Sequence, residues 1–213
     1  MSLLKVENLK FNYSDKELFN DVSFQLNAKE HAVLVGRNGA GKTTLFDLLV
    51  GNISPDKGTI SWTPGVTYSY LDQHYKVKDN LTVSSFLYEI YIDFFKKEQE
   101  MEELYIKGSD TTNPDWERFI NNAQKINDYL IINDFYSIKE KVNSILTGLG
   151  INTSYLNREL VSLSSGQREK IFLAKMLLEE RDVLLLDEPA NGNSLKGWNK
   201  QLDKYNLKHD KKS

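Results

Sequence analysis

The feature that most constrains this chain is a glycine-rich segment close to its N-terminal end. Residues 36–43 read GRNGAGKT, which matches the pattern G-x-x-x-x-G-K-[ST] of a phosphate-binding loop. Residues 31–35, HAVLV, have the β-branched and apolar composition of a buried parallel strand, and residues 44–50 have helical spacing. A glycine-rich turn that matches by chance is the alternative, but strand, loop and helix in this order form the context that the motif requires. The sequence therefore predicts a nucleotide-binding loop.

The residue types in the loop suit a nucleoside triphosphate. Glycines allow backbone conformations that turn several N–H groups towards the β- and γ-phosphates, and the following helix places its N-terminus at the anion. Lys42 brings a full positive charge to these phosphates, and the hydroxyl of Thr43 is a suitable ligand for Mg²⁺. The predicted nucleotide-binding residues of the loop are Gly36, Arg37, Asn38, Gly39, Ala40, Gly41, Lys42, Thr43 and Thr44.

Composition limits the remaining possibilities. The 27 basic and 30 acidic residues give a net charge of −3, so no global electrostatic attraction to nucleic acid or acidic membranes is expected. The absence of cysteine excludes disulfides, cysteine zinc sites and thiol catalysis. No apolar run reaches membrane-spanning length, and residues 1–10 lack the apolar core of a signal peptide. We expect a cytoplasmic protein with no membrane segment of its own.

The N-terminal part of the chain has the pattern of an antiparallel sheet. Residues 3–7 and 22–26 have the pattern of its strands, and residues 59–62 and 66–71 have the pattern of further strands. A turn is predicted at residues 13–16, between the first two strands. At its start, Tyr13 could stack on an adenine base through its ring, or could be an ordinary tyrosine at a strand end.

The middle of the chain changes to helical periodicity. Apolar residues recur at i, i+3 and i+4 from residue 81 to residue 105, which predicts one long amphipathic helix. Residues 107–114 break this pattern, and a second helical pattern covers residues 116–131. Two helices around a short polar turn predict an αα-hairpin in which each apolar stripe packs on the other.

Two further motifs follow in the second half. Residues 163–167 read LSSGQ and precede a helical run to residue 178, and residues 183–189 read VLLLDEP. The latter pattern predicts a buried strand that ends in two carboxylates. Beside a phosphate-binding loop, Asp187 could hold Mg²⁺, and Glu188 could polarise an attacking water as a general base. Acidic residues at strand ends are common, so the pair indicates this chemistry only together with the loop.

Four motifs together resemble the ATP-binding-cassette (ABC) superfamily. In family order they are the loop at residues 36–44, the Q-loop glutamine Gln73, the signature at residues 163–167 and the strand at residues 183–189. Tyr13 falls where the family has its adenine-stacking aromatic residue, whereas the signature departs mildly from LSGGQ at Ser165. The resemblance implies an α/β fold: a P-loop NTPase core of the ABC type with an N-terminal antiparallel β subsheet and an α-helical subdomain.

The resemblance also implies ATP and Mg²⁺ as cofactors, with roles for particular residues. Mg²⁺ would be held by Thr43, Gln73 and Asp187, and the attacking water by Gln73 and Glu188. ABC cassettes pair head to tail, so a second cassette is the expected partner. The residues that would contact the γ-phosphate held by that partner are Ser164, Ser165, Gly166 and Gln167.

Within the superfamily, the long charged hairpin resembles the arm of the ABC-F group. This group contains translation factors and ribosome-protection proteins without membrane domains, so the arm is expected to contact the ribosome. Residues 70–74, 133–136 and 148–150 also resemble bacterial ABC-F sequences. Two alternatives stay open, namely the ATPase subunit of a membrane transporter and an ATP-binding remnant without turnover.

The resemblance stops near residue 189. ABC-F cassettes continue with T-N-x-L-D, whereas residues 190–195 read ANGNSL and match only at Asn191. None of the three histidines, His31, His74 and His209, suits the role of the family's switch histidine. We therefore expect a truncated or frameshifted product in which the residues after the final motif strand are unrelated to the family. The expected segments are the N-terminal part of the core at 1–80, the helical arm at 81–150, the signature helix and strand at 151–189, and an unrelated tail at 190–213.

Overall fold

The computed structural model describes residues 1–14, 16–30, 32, 34–37, 39–71 and 80–186. The described residues fall into two compact units. Those within residues 1–75 and 180–194 form the first unit, and those within residues 76–179 form the second.

A three-stranded antiparallel sheet opens the first unit. Its strands are β1 (Ser2–Tyr13), β2 (Lys16–Asn27) and β3 (Lys57–Trp62), in the order β2-β1-β3. Tyr13 and Lys16 pair across a tight turn in which Ser14 has φ 54°. The predicted strands and the predicted turn at residues 13–16 are confirmed.

A bulge divides β1 and changes the side that its apolar residues occupy. Leu4 and Val6 are buried at even positions, but the next buried residue is Leu9. The pairing with β2 shifts register between Val6 and Leu9, and Asn8 takes a φ of 49°. Gly58 of β3 lies against this bulge with φ 89°, and a Cβ at Gly58 would lie 2.5 Å from two carbonyl oxygens, those of Glu7 and Asn8. The extra residue of the bulge therefore requires a glycine on the neighbouring strand.

Helix α1 (Lys42–Val50) packs its apolar side on the sheet. Leu45, Leu48 and Leu49 are buried in one cluster with the buried leucines and valine of β1. Two aromatic side chains bind the last carbonyls of the helix: the indole N–H of Trp62 donates to Leu49 at 2.9 Å, and the hydroxyl of Tyr68 donates to Val50 at 3.2 Å. Because carbonyls at a helix C-terminus lack intrahelical partners, these bonds fix the far end of α1.

Two strands form a separate parallel pair in the first unit. They are β4 (Tyr68–Leu71) and β5 (Val183–Leu186), with Leu71 opposite Leu186. The carboxylate of Asp182 accepts from the backbone N–H of Thr67 at 2.8 Å and from its hydroxyl at 2.9 Å. These bonds join the starts of both strands and help to set their register.

The strand predicted at residues 31–35 is wrong for the residues that are described there. Ala32, Leu34 and Val35 lie in irregular backbone, and the side chain of Val35 is 87% exposed. A strand is stabilised by the ladder it forms with a neighbour, and no strand of the described residues pairs with this segment. Composition identified a strand candidate, but a strand also needs a partner.

The second unit is helical. Its α-helices are α2 (Val83–Tyr88), α3 (Ile92–Gly108), α4 (Trp116–Ile132), α5 (Ile138–Gly148) and α6 (Ser165–Leu178). Short 3₁₀ turns lie at Glu89–Tyr91, Phe135–Ser137, Thr153–Asn157 and Leu160–Ser162. Among the helices of the described residues, none is both long enough and apolar enough to cross a membrane.

The single helix predicted over residues 81–105 is split in two by the turn at Glu89–Tyr91. The physical reason is that its two halves have different partners. Phe86 of α2 packs edge-on against Phe172 of α6, at 5.3 Å between ring centroids, whereas α3 packs on α4. A continuous periodicity does not reveal where a helix changes its packing partner.

Helices α3 and α4 form the predicted αα-hairpin. At its tip, a Cβ on Gly108 would lie 2.6 Å from the side chain of Ile120, so the two helices approach closely at a glycine. At its base, the rings of Phe94, Phe95 and Tyr129 join the ring of Phe135, which follows α4. The hairpin is thus packed at both ends.

Candidate functional site

The phosphate-binding loop has the backbone geometry that its glycines predict. Gly39 and Gly41 have φ of 77° and 93°, a region that residues with a Cβ rarely adopt. The N–H of Ala40 donates to the carbonyl of Arg37 at 3.0 Å, which closes a turn within the loop. The conformation of Gly41 carries the chain directly into α1.

Gly41 is also the N-cap residue of α1, and it has no side chain to bind the amides of the first helical turn. The first N–H groups of a helix have no intrahelical acceptor, and the helix dipole adds partial positive charge there. The N-terminus of α1, with Lys42 as its first residue, is therefore suited to an anion.

The ammonium of Lys42 lies across the loop. It donates to the carbonyl of Gly36 at 3.0 Å and to that of Arg37 at 3.3 Å. These contacts keep the charge of Lys42 over the loop rather than in open solvent.

A cavity of about 450 Å³ opens beside the loop. It is lined by Tyr13, Lys16, Leu18, Gly39, Gly41, Lys42, Thr43 and Thr44. Tyr13, at the end of β1, is 66% exposed. The structure thus brings the predicted aromatic residue, part of the predicted loop and the N-terminus of α1 to one cavity.

The residues of this cavity fit a nucleotide with Mg²⁺. An accessible aromatic ring suits a base, whereas two lysines and a helix N-terminus suit a phosphate chain. Thr43, which lines the cavity, is the one proposed Mg²⁺ ligand that falls among the described residues, and its hydroxyl oxygen is a hard donor that this ion prefers.

The signature begins α6 in the second unit. The hydroxyl of Ser164 accepts from the backbone N–H of Gln167 at 3.3 Å, and the side-chain oxygen of Gln167 accepts from the N–H of Ser164 at 3.1 Å. These reciprocal bonds form a capping box that fixes the start of the helix. Ser165 and Gly166 are exposed, whereas Leu163 is buried and anchors the segment.

Several predicted positions lie outside the described residues. They are Asn38 of the loop, Gln73, Asp187, Glu188, the histidines His31, His74 and His209, and the tail at 190–213. Their predicted roles stay predictions.

The motifs do not indicate two residues that line the cavity, Lys16 and Leu18, and of these Lys16 carries a charge. It belongs to no phosphate-loop pattern, because it comes from the β1–β2 turn rather than from the loop. Its ammonium donates to the carbonyl of Gly39 at 3.3 Å. The signal that could have found it is its position three residues after Tyr13, across a tight hairpin turn.

Comparison with known proteins identifies the family. The family model described as "ABC transporter" matches residues 19–191 of the chain. The chain belongs to the ABC transporter family. This ABC chain is 40% identical over 191 residues to the "Uncharacterized ABC transporter ATP-binding protein YfmM" of Bacillus subtilis, an alignment that covers 90% of this chain and 37% of the relative.

A plant protein is also similar to this chain over nearly its whole length. The "ABC transporter F family member 2" of Arabidopsis thaliana is 30% identical over 225 residues, which covers 97% of this ABC chain and 31% of the relative. The chain therefore spans about a third of the length of these two curated relatives.

Solved structures support the fold. A structure described as "ATP binding subunit of ABC transporter" superposes with a TM-score of 0.61 at 18% identity, over 97% of this ABC chain and 75% of that one. A nucleotide-free ATP-binding cassette from an ABC transporter gives a TM-score of 0.58 at 19% identity, over 99% and 78% of the two chains. The predicted fold class is confirmed: this is a P-loop ABC ATPase cassette with an N-terminal antiparallel sheet.

Proposed function

We propose that this cassette binds Mg-ATP in the cavity beside the phosphate-binding loop. The observation that carries the proposal is the arrangement of Tyr13, Lys42 and the left-handed glycines Gly39 and Gly41 around one cavity. The Tyr13 ring would stack on adenine, and the loop amides with Lys42 would bind the phosphates. The proposed loop ligands outside this set, Gly36, Arg37, Asn38, Ala40 and Thr44, act mainly through the backbone.

We further propose that the cassette hydrolyses ATP when it pairs with a second cassette. Bound Mg²⁺ would neutralise phosphate charge, with Thr43, Gln73 and Asp187 as its protein ligands. Glu188 would polarise the attacking water, which Gln73 would help to position. Ser164, Ser165, Gly166 and Gln167 would contact the nucleotide of the second cassette.

Matched variants test these roles. Lys42→Ala removes the charge at the phosphates, so ATP affinity measured by titration calorimetry should fall at least about tenfold. Glu188→Gln keeps the shape of the side chain but removes the base, so it should spare affinity and abolish turnover. Equal loss of affinity in both variants would contradict the assigned roles.

A more specific proposal concerns where the cassette acts. We propose that the protein is of the ABC-F type, acts on the ribosome through the α3–α4 hairpin and works in the cytoplasm. Two observations support it. The hairpin exposes apolar side chains such as Ile106 (71%) and Ile132 (80%) at opposite ends, and the plant relative described above is named as a member of the ABC transporter F family. A folded hairpin with accessible ends suits contact with a large partner.

The second candidate is the ATPase subunit of a transporter. It is favoured by the descriptions of the two solved structures given above, one an ATP-binding subunit of an ABC transporter and the other a cassette from an ABC transporter. Sedimentation of the tagged protein from a bacterial lysate separates the candidates. Co-sedimentation with ribosomes that is lost when residues 92–132 are replaced by a short linker supports the ABC-F proposal, whereas co-sedimentation with membranes supports the transporter.

A further inference from the structure

Lys16 contributes a second positive charge to the nucleotide cavity. It is the first residue of β2, and its side chain is exposed and lines the cavity. The contact of its ammonium with Gly39, at 3.3 Å, reaches the middle of the phosphate-binding loop. The charge of Lys16 therefore lies at the loop, although the residue is 20 or more positions away from it in sequence.

The two lysines reach the loop from different elements. The ammonium of Lys42, from the first turn of α1, contacts Gly36 and Arg37, whereas that of Lys16, from the sheet, contacts Gly39. Two cations over separate parts of one loop can bind separate oxygens of a phosphate chain. A single ammonium has three N–H donors and can bind neighbouring oxygens, but it brings only one positive charge to a phosphate chain that carries several negative charges.

The turn between β1 and β2 holds Lys16 close to Tyr13. Tyr13 and Lys16 are cross-strand partners in the β1–β2 ladder, and Ser14 between them takes the left-handed conformation of a tight turn. Cross-strand partners in such a ladder are held a few ångströms apart at the backbone. One turn thus presents a ring suited to a base and a charge suited to the adjoining phosphates.

We propose that Lys16 is a phosphate-binding residue of this cassette, whose ammonium binds the phosphate chain of the nucleotide whose base stacks on Tyr13. The inference rests on the proposed binding of ATP in this cavity. Because the side chain of Lys16 is exposed, solvent screens its charge, and we expect a smaller effect than that of Lys42.

The test compares ligands that differ only in their phosphates. Affinities for ATP, ADP, AMP and adenosine are measured by titration calorimetry for the wild type and for Lys16→Gln, Lys16→Arg and Lys57→Gln. Lys57 is the matched control, since it is an exposed lysine at the start of β3 that does not line the cavity.

We expect Lys16→Gln to weaken ATP binding about three- to tenfold, AMP binding less, and adenosine binding not at all. The variant should also lower the salt dependence of ATP affinity, because one cation no longer contacts the phosphates. Lys16→Arg keeps the charge and should stay within about twofold of the wild type, and Lys57→Gln should bind as the wild type does.

Two results would overturn the inference while leaving the proposed function intact. One is that Lys16→Gln binds ATP with the affinity of the wild type while Lys42→Ala no longer does. The other is an equal loss for adenosine and ATP, which would mean that Lys16 acts on the Tyr13 turn and not on phosphate. Failure of the wild type to bind ATP at all would refute the proposed function itself, and this inference with it.

Discussion

Replacing Gly58 with alanine tests whether the bulge in β1 dictates the residue opposite it. Gly58 has φ 89°, and left-handed backbone costs a residue with a Cβ about 1–2 kcal/mol. The new Cβ would also lie 2.5 Å from the carbonyl oxygens of Glu7 and Asn8. Backbone atoms on a paired strand cannot rotate away as a side chain can, so overpacking adds about 1–3 kcal/mol. We expect a total loss of about 2–5 kcal/mol in the free energy of unfolding.

Gly65 provides a matched control. It has a similar φ of 86°, but nothing lies within 4 Å of the Cβ it would gain. Gly65→Ala should therefore cost only the conformational part, about 1–2 kcal/mol. Both substitutions restrict the unfolded chain equally, so the difference between the two variants isolates the contact with the bulge.

Urea unfolding followed by the fluorescence of Trp62 measures both variants, in a background in which Trp116 and Trp198 are phenylalanine. Trp62 pairs with Leu4 in the ladder between β1 and β3, so it reports on the strands in question. If Gly58→Ala proves as stable as Gly65→Ala, the strands separate at little cost and the reasoning from the bulge fails.

Two further predictions concern the signature helix and the parallel strand pair. Ser164→Ala removes the hydroxyl that caps α6 and should destabilise the second unit by about 1 kcal/mol, whereas Ser165→Ala should stay within about 0.5 kcal/mol of the wild type. Urea unfolding followed by the fluorescence of Trp116 measures both variants, and an equal loss of stability in the two would contradict the role of Ser164 as a cap. Two hydrogen bonds from Thr67 lower the pKa of the Asp182 carboxyl below its usual range, with the backbone N–H as the larger cause and the hydroxyl as the smaller one. Its stabilising contribution is therefore complete above the ordinary aspartate range and is lost as the pH falls through the lowered folded-state value. Asp182→Asn keeps an acceptor oxygen but cannot titrate, so plots of unfolding free energy against pH should be flatter for the variant in that acidic window, and identical slopes would contradict the assignment.

The sequence predicted those parts of the fold that depend on local pattern. The β1–β2 turn, the αα-hairpin and helix α6 follow from periodicity and from breaker residues. The predictions of a strand at residues 31–35, of which 32, 34 and 35 are described, and of a continuous helix at 81–105 were wrong for a shared reason. Composition and periodicity describe which residues of an element are apolar, but they do not say which partner covers those residues or where the partner changes.

The residues of the candidate site also differ in whether a local pattern in the sequence predicts them. The left-handed backbone of Gly39 and Gly41 could be predicted, because a phosphate-binding loop places glycines where a Cβ would be unfavourable. No motif identifies Lys16, because this residue comes close to the loop only through the pairing of β1 with β2. The capping box at Ser164 and Gln167 is visible as S-x-x-Q in the sequence, although the family motif at these residues indicates only a contact with nucleotide.

The α3–α4 hairpin also has the properties of a lever. Seventeen residues of α3 span about 25 Å at the usual helical rise, and close packing at Gly108 and Ile120 prevents the two helices from sliding freely at the tip. A rotation of about 10° at the aromatic base would then displace the tip by about 4 Å, by simple geometry on that length. A small angular change at one end is thereby converted into a movement larger than the length of a hydrogen bond at the other.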